Sequence, residues 1–162
     1  MSALIVVVTH APLASALREV VLHVFPTVDT MLVYDILPDV QPEVMQAQIM
    51  ADVQRKQQST QQRVLVFSDL IGATPANIAM RVVYALNPHG VPVTHTAPSS
   101  LGNIAEIKPT MVERSVFFGG VNVCMLLNAV RYADLPVDEL KAKILEGGKK
   151  GMQTVDCSCM AS

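Results

Sequence analysis

Cysteine is scarce: Cys124 lies within an apolar segment and Cys157 and Cys159 near the C-terminal end, three in 162 residues, too few and too unevenly placed for a secreted disulfide framework. A reducing cytoplasm is the expected compartment. Aromatic residues make up 4% of the chain and charged residues 16%, with neither a basic stripe nor aromatics set beside Lys or Arg. Nucleic acid is therefore not an expected partner. The formal charge of −2 comes from interspersed residues and not from blocks. No apolar run approaches the ~18 residues that a membrane-crossing helix needs. The N-terminal apolar stretch lacks the basic flank and small-residue cleavage site of a signal peptide, so neither secretion nor direct membrane insertion is expected. The G-x-x-x-x-G-K-[ST] pattern of a triphosphate site is missing. The tail cysteines supply too few ligands for a structural zinc, and no metal or cofactor is expected.

What the chain does have is length for one core, burying roughly 70% of its unfolded surface, and strand-length apolar runs alternating with helical periodicity. That alternation predicts an α/β fold: an open, mostly parallel sheet of about four strands with helices on both faces. The first strand is expected over Ala3 to Thr9, apolar throughout and so covered on both sides. A helix follows from about Leu13 to Phe25, stopped by Pro26. The second strand is Thr30 to Tyr34, its helix Pro42 to Gln58, and the third strand Arg63 to Ser68. Thr74 reads as the N-cap and Pro75 as the first residue of a helix through Leu86. Residues 87 to 114 break the rhythm with four prolines, an extended loop in which Ser99 to Ile107 is expected as a short helix. Strand four is Ser115 to Phe118, then come helices from Cys124 to Tyr132 and from Pro136 to Glu146, and a last short strand from Gly151 to Val155. A single domain over 1 to 156 and a tail over 157 to 162 result.

Ligands of open α/β sheets bind beyond the carboxyl ends of the strands. His10 follows strand one there, Asp69 follows strand three, and Gly119-Gly120-Val121-Asn122 follows strand four. A carboxylate beside an imidazole accepts a hydrogen bond from one ring nitrogen and leaves the other free to attack. With no G-x-S-x-G elbow in the chain, His10 itself is the candidate nucleophile and Asp69 its orienting group. Gly72, Ala73, Thr74 and Pro75 form a small-residue turn into a helix, where free N–H groups and the helix dipole suit a phosphoryl group. Thr74 either donates its hydroxyl to that group or caps the helix. Asn122 either lines the cleft or only makes a turn.

These residues resemble the mannose-type IIA domains of the bacterial phosphoenolpyruvate-dependent sugar phosphotransferase system. The matching pieces are V-V-V-T-H-A-P-L-A-S-A-L, V-L-V-F-S-D-L-I-G-A-T-P-A-N-I-A, F-G-G-V-N-V-C-M-L-L and E-G-G-K-K-G-M-Q-T-V, in order from Ala3 to Val155. The resemblance implies that His10 takes a phosphoryl group on Nε2 from the carrier HPr and passes it to a IIB partner, with Asp69 on Nδ1 and Thr74 as the hydroxyl of the turn. It also implies a homodimer formed by exchange of a C-terminal antiparallel strand, here Gly151 to Val155. Three features depart from the family's pattern: Ala11 after the histidine, G-A-T-P in place of G-G-S-P, and the extension over Val91 to Glu113. Ala73 must then tolerate whatever backbone angle that turn demands. The chain ends at Ser162, so a IIB component is expected either as a separate protein or not at all; in the second case the chain resembles the standalone branch of the family, which the G-A-T-P turn also matches and in which the phosphorylated state serves as a regulatory signal. The alternative is a noncatalytic regulatory module of the same fold that docks a partner; a small hydrolase using His10 and Asp69 on water is a third reading.

Overall fold

A computed structural model describes residues 2–87 and 114–154. In chain order the elements are β1 (Leu4–His10), α1 (Leu13–Val24), β2 (Met31–Ile36), α2 (Pro42–Lys56), β3 (Val64–Phe67), α3 (Thr74–Leu86), β4 (Ser115–Phe118), α4 (Val123–Arg131) and α5 (Val137–Lys150). The four strands form one all-parallel sheet in the order β2-β1-β3-β4. Val7 pairs with Val33 on one side and with Phe67 on the other, which fixes the register at the centre.

The unbroken apolar run of β1 is explained by this position. Leu4, Ile5, Val6, Val7 and Val8 are all fully buried. Successive side chains of a strand point to opposite faces. Ile5 and Val7 join Leu65, Phe67 and the buried faces of α1, α4 and α5. Leu4, Val6 and Val8 join Val64, Val66 and α2 and α3 on the other side. The Phe67 and Phe118 rings stack with centroids 4.9 Å apart and tie the last two strands together. At the opposite end of the sheet the Arg63 guanidinium donates to the carbonyls of Leu135 and Ala133, anchoring the turn between α4 and α5.

The chain leaves β1 toward one face through α1 and leaves β3 toward the other through α3. A crevice therefore opens between the carboxyl ends of these neighbouring strands, the switch point at which such sheets place ligands. No helix among the described residues is long and apolar enough to cross a membrane.

Two expectations need correction. The helix predicted to stop at Glu146 continues to Lys150, and the expected strand from Gly151 is not formed: Gly151 closes the helix with its N–H on the Gly147 carbonyl, and residues through Thr154 join no sheet. Gly147 and Gly148 look like a helix stop but serve packing. A Cβ on Gly147 would stand 2.2 Å from the Asn128 side-chain nitrogen and 3.1 Å from the Cys124 carbonyl, and one on Gly148 would stand 2.6 Å from Met125 Cγ. The glycines let α5 lie against α4, and that contact outweighs their poor helix propensity. Val155, where the expected strand ends, the helix expected over Ser99 to Ile107 and the tail cysteines lie outside the described residues.

On an open helix surface replacing glycine would stabilise by up to ~1 kcal/mol. Here Gly147→Val is expected to destabilise the fold by about 1–3 kcal/mol through overpacking, read as a lower midpoint in urea denaturation. An unchanged or raised midpoint would contradict the close-approach role.

Candidate functional site

His10 is the last residue of β1, where burial stops: Thr9 is fully enclosed, while the His10 side chain is 51% exposed. Asp69 follows β3 by two residues and is 16% exposed. Pairing of the two strands brings them together. Asp69 Oδ2 lies 2.8 Å from His10 Nδ1 and also accepts the His10 backbone N–H at 3.1 Å, while Oδ1 accepts the Leu70 N–H at 2.8 Å. Burial alone would raise the Asp69 pKa; the bonds from the His10 ring, the His10 N–H and the Leu70 N–H together outweigh it and hold the carboxyl below the usual aspartate value. The ionised carboxylate can only accept, which selects the tautomer of the neutral ring with the proton on Nδ1 and the lone pair on Nε2.

The turn after Asp69 is built around Gly72. Its φ is +92°, and Ala73 N–H closes on the Leu70 carbonyl at 3.2 Å. Positive φ at the third residue is what a type II turn requires, and glycine supplies it without steric cost. Ala73 sits in ordinary extended backbone at φ −83°, so the G-A-T-P variant is not strained.

The cap falls one residue earlier than the sequence suggests. Ala73 is the N-cap of α3, with its carbonyl accepting the Asn77 N–H, and Thr74 is the first helical residue ahead of Pro75. Completing the turn at Ala73 forces this shift. An alanine offers no side-chain oxygen, so the first N–H groups of α3 receive no side-chain cap. Thr74 is exposed, and its hydroxyl is not engaged in capping.

Asn122 has a different occupation. Its Oδ1 caps α4 by accepting the Met125 N–H at 3.1 Å, and its Nδ2 reaches the Gly148 carbonyl at 3.4 Å, so both ends of the amide hold helices. Gly120 and Val121 donate to the carbonyls of Asp69 and Ser68, which lashes the β4 turn to the end of β3. One polar residue was not singled out from the sequence. Asp35 of β2 accepts the N–H groups of Ala14 and Ser15 at 2.9 and 3.2 Å and bonds the Ser15 hydroxyl, capping α1 from the neighbouring strand. The available signal was Pro12 at the N-cap of α1, which has no oxygen of its own to offer.

A half-exposed imidazole, the carboxylate bonded to its Nδ1 and an uncapped helix start thus share one sheet edge. Leu37, Leu70 and Ile71 stand exposed at that edge. A groove of about 380 Å³ lies elsewhere, between α4 and α5, lined by Cys124, Tyr132, Lys143 and Lys150 among others.

The chain belongs to the EIIA-man family: the family described as PTS system fructose IIA component matches residues 4–96. It is thus a IIA component of the phosphotransferase system, and membership implies a phosphoryl-transfer role. No curated protein gives a significant match. Among solved structures, the phosphotransferase system component EIIA of Streptococcus agalactiae is similar over 96% of this chain and 97% of its own, with TM-score 0.62 and 19% identity. The PTS IIA protein associated with the fucose utilization operon of Streptococcus pneumoniae covers 95% and 96%, with TM-score 0.65 and 16% identity. A sigma-54 interaction domain protein of Enterococcus faecalis covers 93% of each chain, with TM-score 0.64 and 12% identity. At such identities the structures establish a shared fold.

The Asp69 carboxyl sets a pH dependence. Its pKa is lower folded than unfolded, so its contribution to stability is complete above the ordinary value of 3.8 and is lost as pH falls through the lowered one. The melting temperature of the wild type should exceed that of Asp69→Asn near neutral pH, and the gap should close in acid below that range. A gap independent of pH would contradict the ionised pairing.

Proposed function

We propose that His10 is the phosphoryl-accepting residue of this IIA component, with phospho-HPr as donor. Nε2 attacks the phosphorus of the donor's phosphohistidine. The donor's P–N bond breaks, its electron pair returns to the donor ring, and the new bond forms on Nε2. The His10 ring gains positive charge in the step, and the Asp69 carboxylate at Nδ1 offsets it. The phosphoryl oxygens then lie toward the turn of Gly72, Ala73 and Thr74, where uncapped N–H groups and the Thr74 hydroxyl can receive them. Onward transfer goes to a IIB component, or the phosphorylated state itself serves as a regulatory signal.

The observation that carries this reading is the 2.8 Å contact between His10 Nδ1 and Asp69, which leaves Nε2 as the free nitrogen of a half-exposed ring. Exposure of Leu37, Leu70 and Ile71 at the same edge favours a protein over a small molecule as the approaching partner. Asn122 is left out of the phosphoryl contacts because its side chain is engaged at α4 and α5.

Incubation with phosphoenolpyruvate, enzyme I and HPr should add one acid-labile, base-stable phosphoryl group per chain, and His10→Ala should add none. Asp69→Asn should remain folded and slow the transfer by about tenfold to a hundredfold, as losing the group that orients a reacting histidine does. Equal labelling of wild type and His10→Ala would overturn the assignment of the histidine. Unchanged kinetics in Asp69→Asn would overturn the orienting role.

A further inference from the structure

Among the helices that begin at the carboxyl edge of the sheet, α1 and α3 follow the two neighbouring strands that lead to His10 and Asp69, and a helix start is an anion site wherever its first N–H groups are open. The two differ in how they are closed. The α3 start has Ala73 as its cap and no acidic residue in its first turn. The α1 start has Pro12 as its cap and likewise no acidic residue of its own, yet its Ala14 and Ser15 N–H groups are filled by Asp35 Oδ1, while Asp35 Oδ2 bonds the Ser15 hydroxyl. The carboxylate comes from β2, where Asp35 pairs with Thr9 and the next residue, Ile36, pairs with His10.

Strand parity separates the two groups. Thr9 and Asp35 alternate with His10 and Ile36, so Asp35 points to the α1 face while His10 follows Leu4, Val6 and Val8 toward the face of α2 and α3. Asp35 therefore does not touch the reacting nitrogen. It acts through the chain: the Ala11 N–H is held by the Ile36 carbonyl at 3.1 Å, and the turn from Ala11 to Ser15 is held by the Asp35 carboxylate. The segment leaving His10 is thus pinned at both ends to β2.

We infer that Asp35 is a positioning residue for phosphoryl transfer: it fixes the exit of the chain from His10 and fills the α1 helix start with a carboxylate, so that a phosphoryl group on His10 meets only the α3 start. The inference rests on the reading of His10 as the phosphoryl acceptor. Its physical basis is that a carboxylate already bonded to the α1 amides satisfies them and repels a second anion, whereas the α3 amides have no such occupant. The turn of Gly72, Ala73 and Thr74 becomes the one open anion site between two otherwise equivalent helix starts.

Full-length wild type, Asp35→Asn and Asp35→Ala test this in two arms. The first measures the rate of His10 phosphorylation by phospho-HPr. The second follows backbone amide NMR shifts of the unphosphorylated proteins on addition of inorganic phosphate. Wild type should show shifts at Gly72, Ala73, Thr74, Ala76 and Asn77 and none at Ala14 or Ser15. Asp35→Ala should bring Ala14 and Ser15 into the response and slow phosphorylation about tenfold, in the range that a displaced reacting group costs. Asp35→Asn keeps an oxygen for both amides, so it should keep them closed to phosphate and recover most of the rate; should the alanine variant fail to fold, Asp35→Val, which suits a strand and has no oxygen to offer, takes its place with the same expected opening of Ala14 and Ser15 and the same loss of rate. Equal rates and equal phosphate responses in all three proteins would overturn the role of Asp35. If wild type takes no phosphoryl group at all, the transfer reading fails, and the amide arm still reports whether Asp35 closes the α1 start.

Discussion

The bond between His10 Nδ1 and Asp69 is the constraint around which the rest of the molecule is arranged. The two residues are 59 positions apart, and only the parallel pairing of β1 with β3 places their strand ends side by side. That pairing depends on β1 being buried on both faces, which in turn needs helices on both sides of the sheet. A continuous apolar run ending at a polar residue is the signature of this design. It brings the His10 side chain to the surface at the end of a strand that is fully buried as far as Thr9 and paired on both sides.

Around that bond the backbone shares out negative and positive partial charge. Asp69 accepts from the His10 ring, the His10 N–H and the Leu70 N–H, and these donors outweigh burial in setting its charge state. Asp35 performs a parallel task on the next strand, accepting from α1. The two carboxylates divide the sheet edge: one holds the imidazole, the other closes a helix start, and the α3 start is left uncapped. Gly72 makes this possible by turning the chain at positive φ, so that Ala73, a residue with nothing to offer the helix, falls at the cap.

Much of this was legible in the sequence, for reasons particular to each element. The run Leu4 to Val8 is apolar without alternation, and that alone marked its strand as covered on both faces. His10 and Asp69 were legible as a pair because each follows an apolar strand at the same edge, and the strand order then sets them side by side. The far end of α5 was misread because Gly147 and Gly148 are ordinary stop signals, and only the packing of α5 on α4 reveals that they are contact surfaces. Thr74 before Pro75 has the pattern of a cap, and a positive φ two residues earlier, invisible in the sequence, moved the helix start by one. Asp35 had no local pattern to betray it, because it caps a helix some 20 positions away across the sheet.

The central claim is that Asp69 holds Nδ1 and leaves Nε2 to carry the phosphoryl group. Ring-nitrogen NMR of the phosphorylated full-length protein, labelled with ¹⁵N at histidine, tests it most directly. The expected result is phosphorus coupling at Nε2 of His10 alone, with Nδ1 protonated and hydrogen-bonded. Phosphorus on Nδ1, or on another histidine, would contradict it.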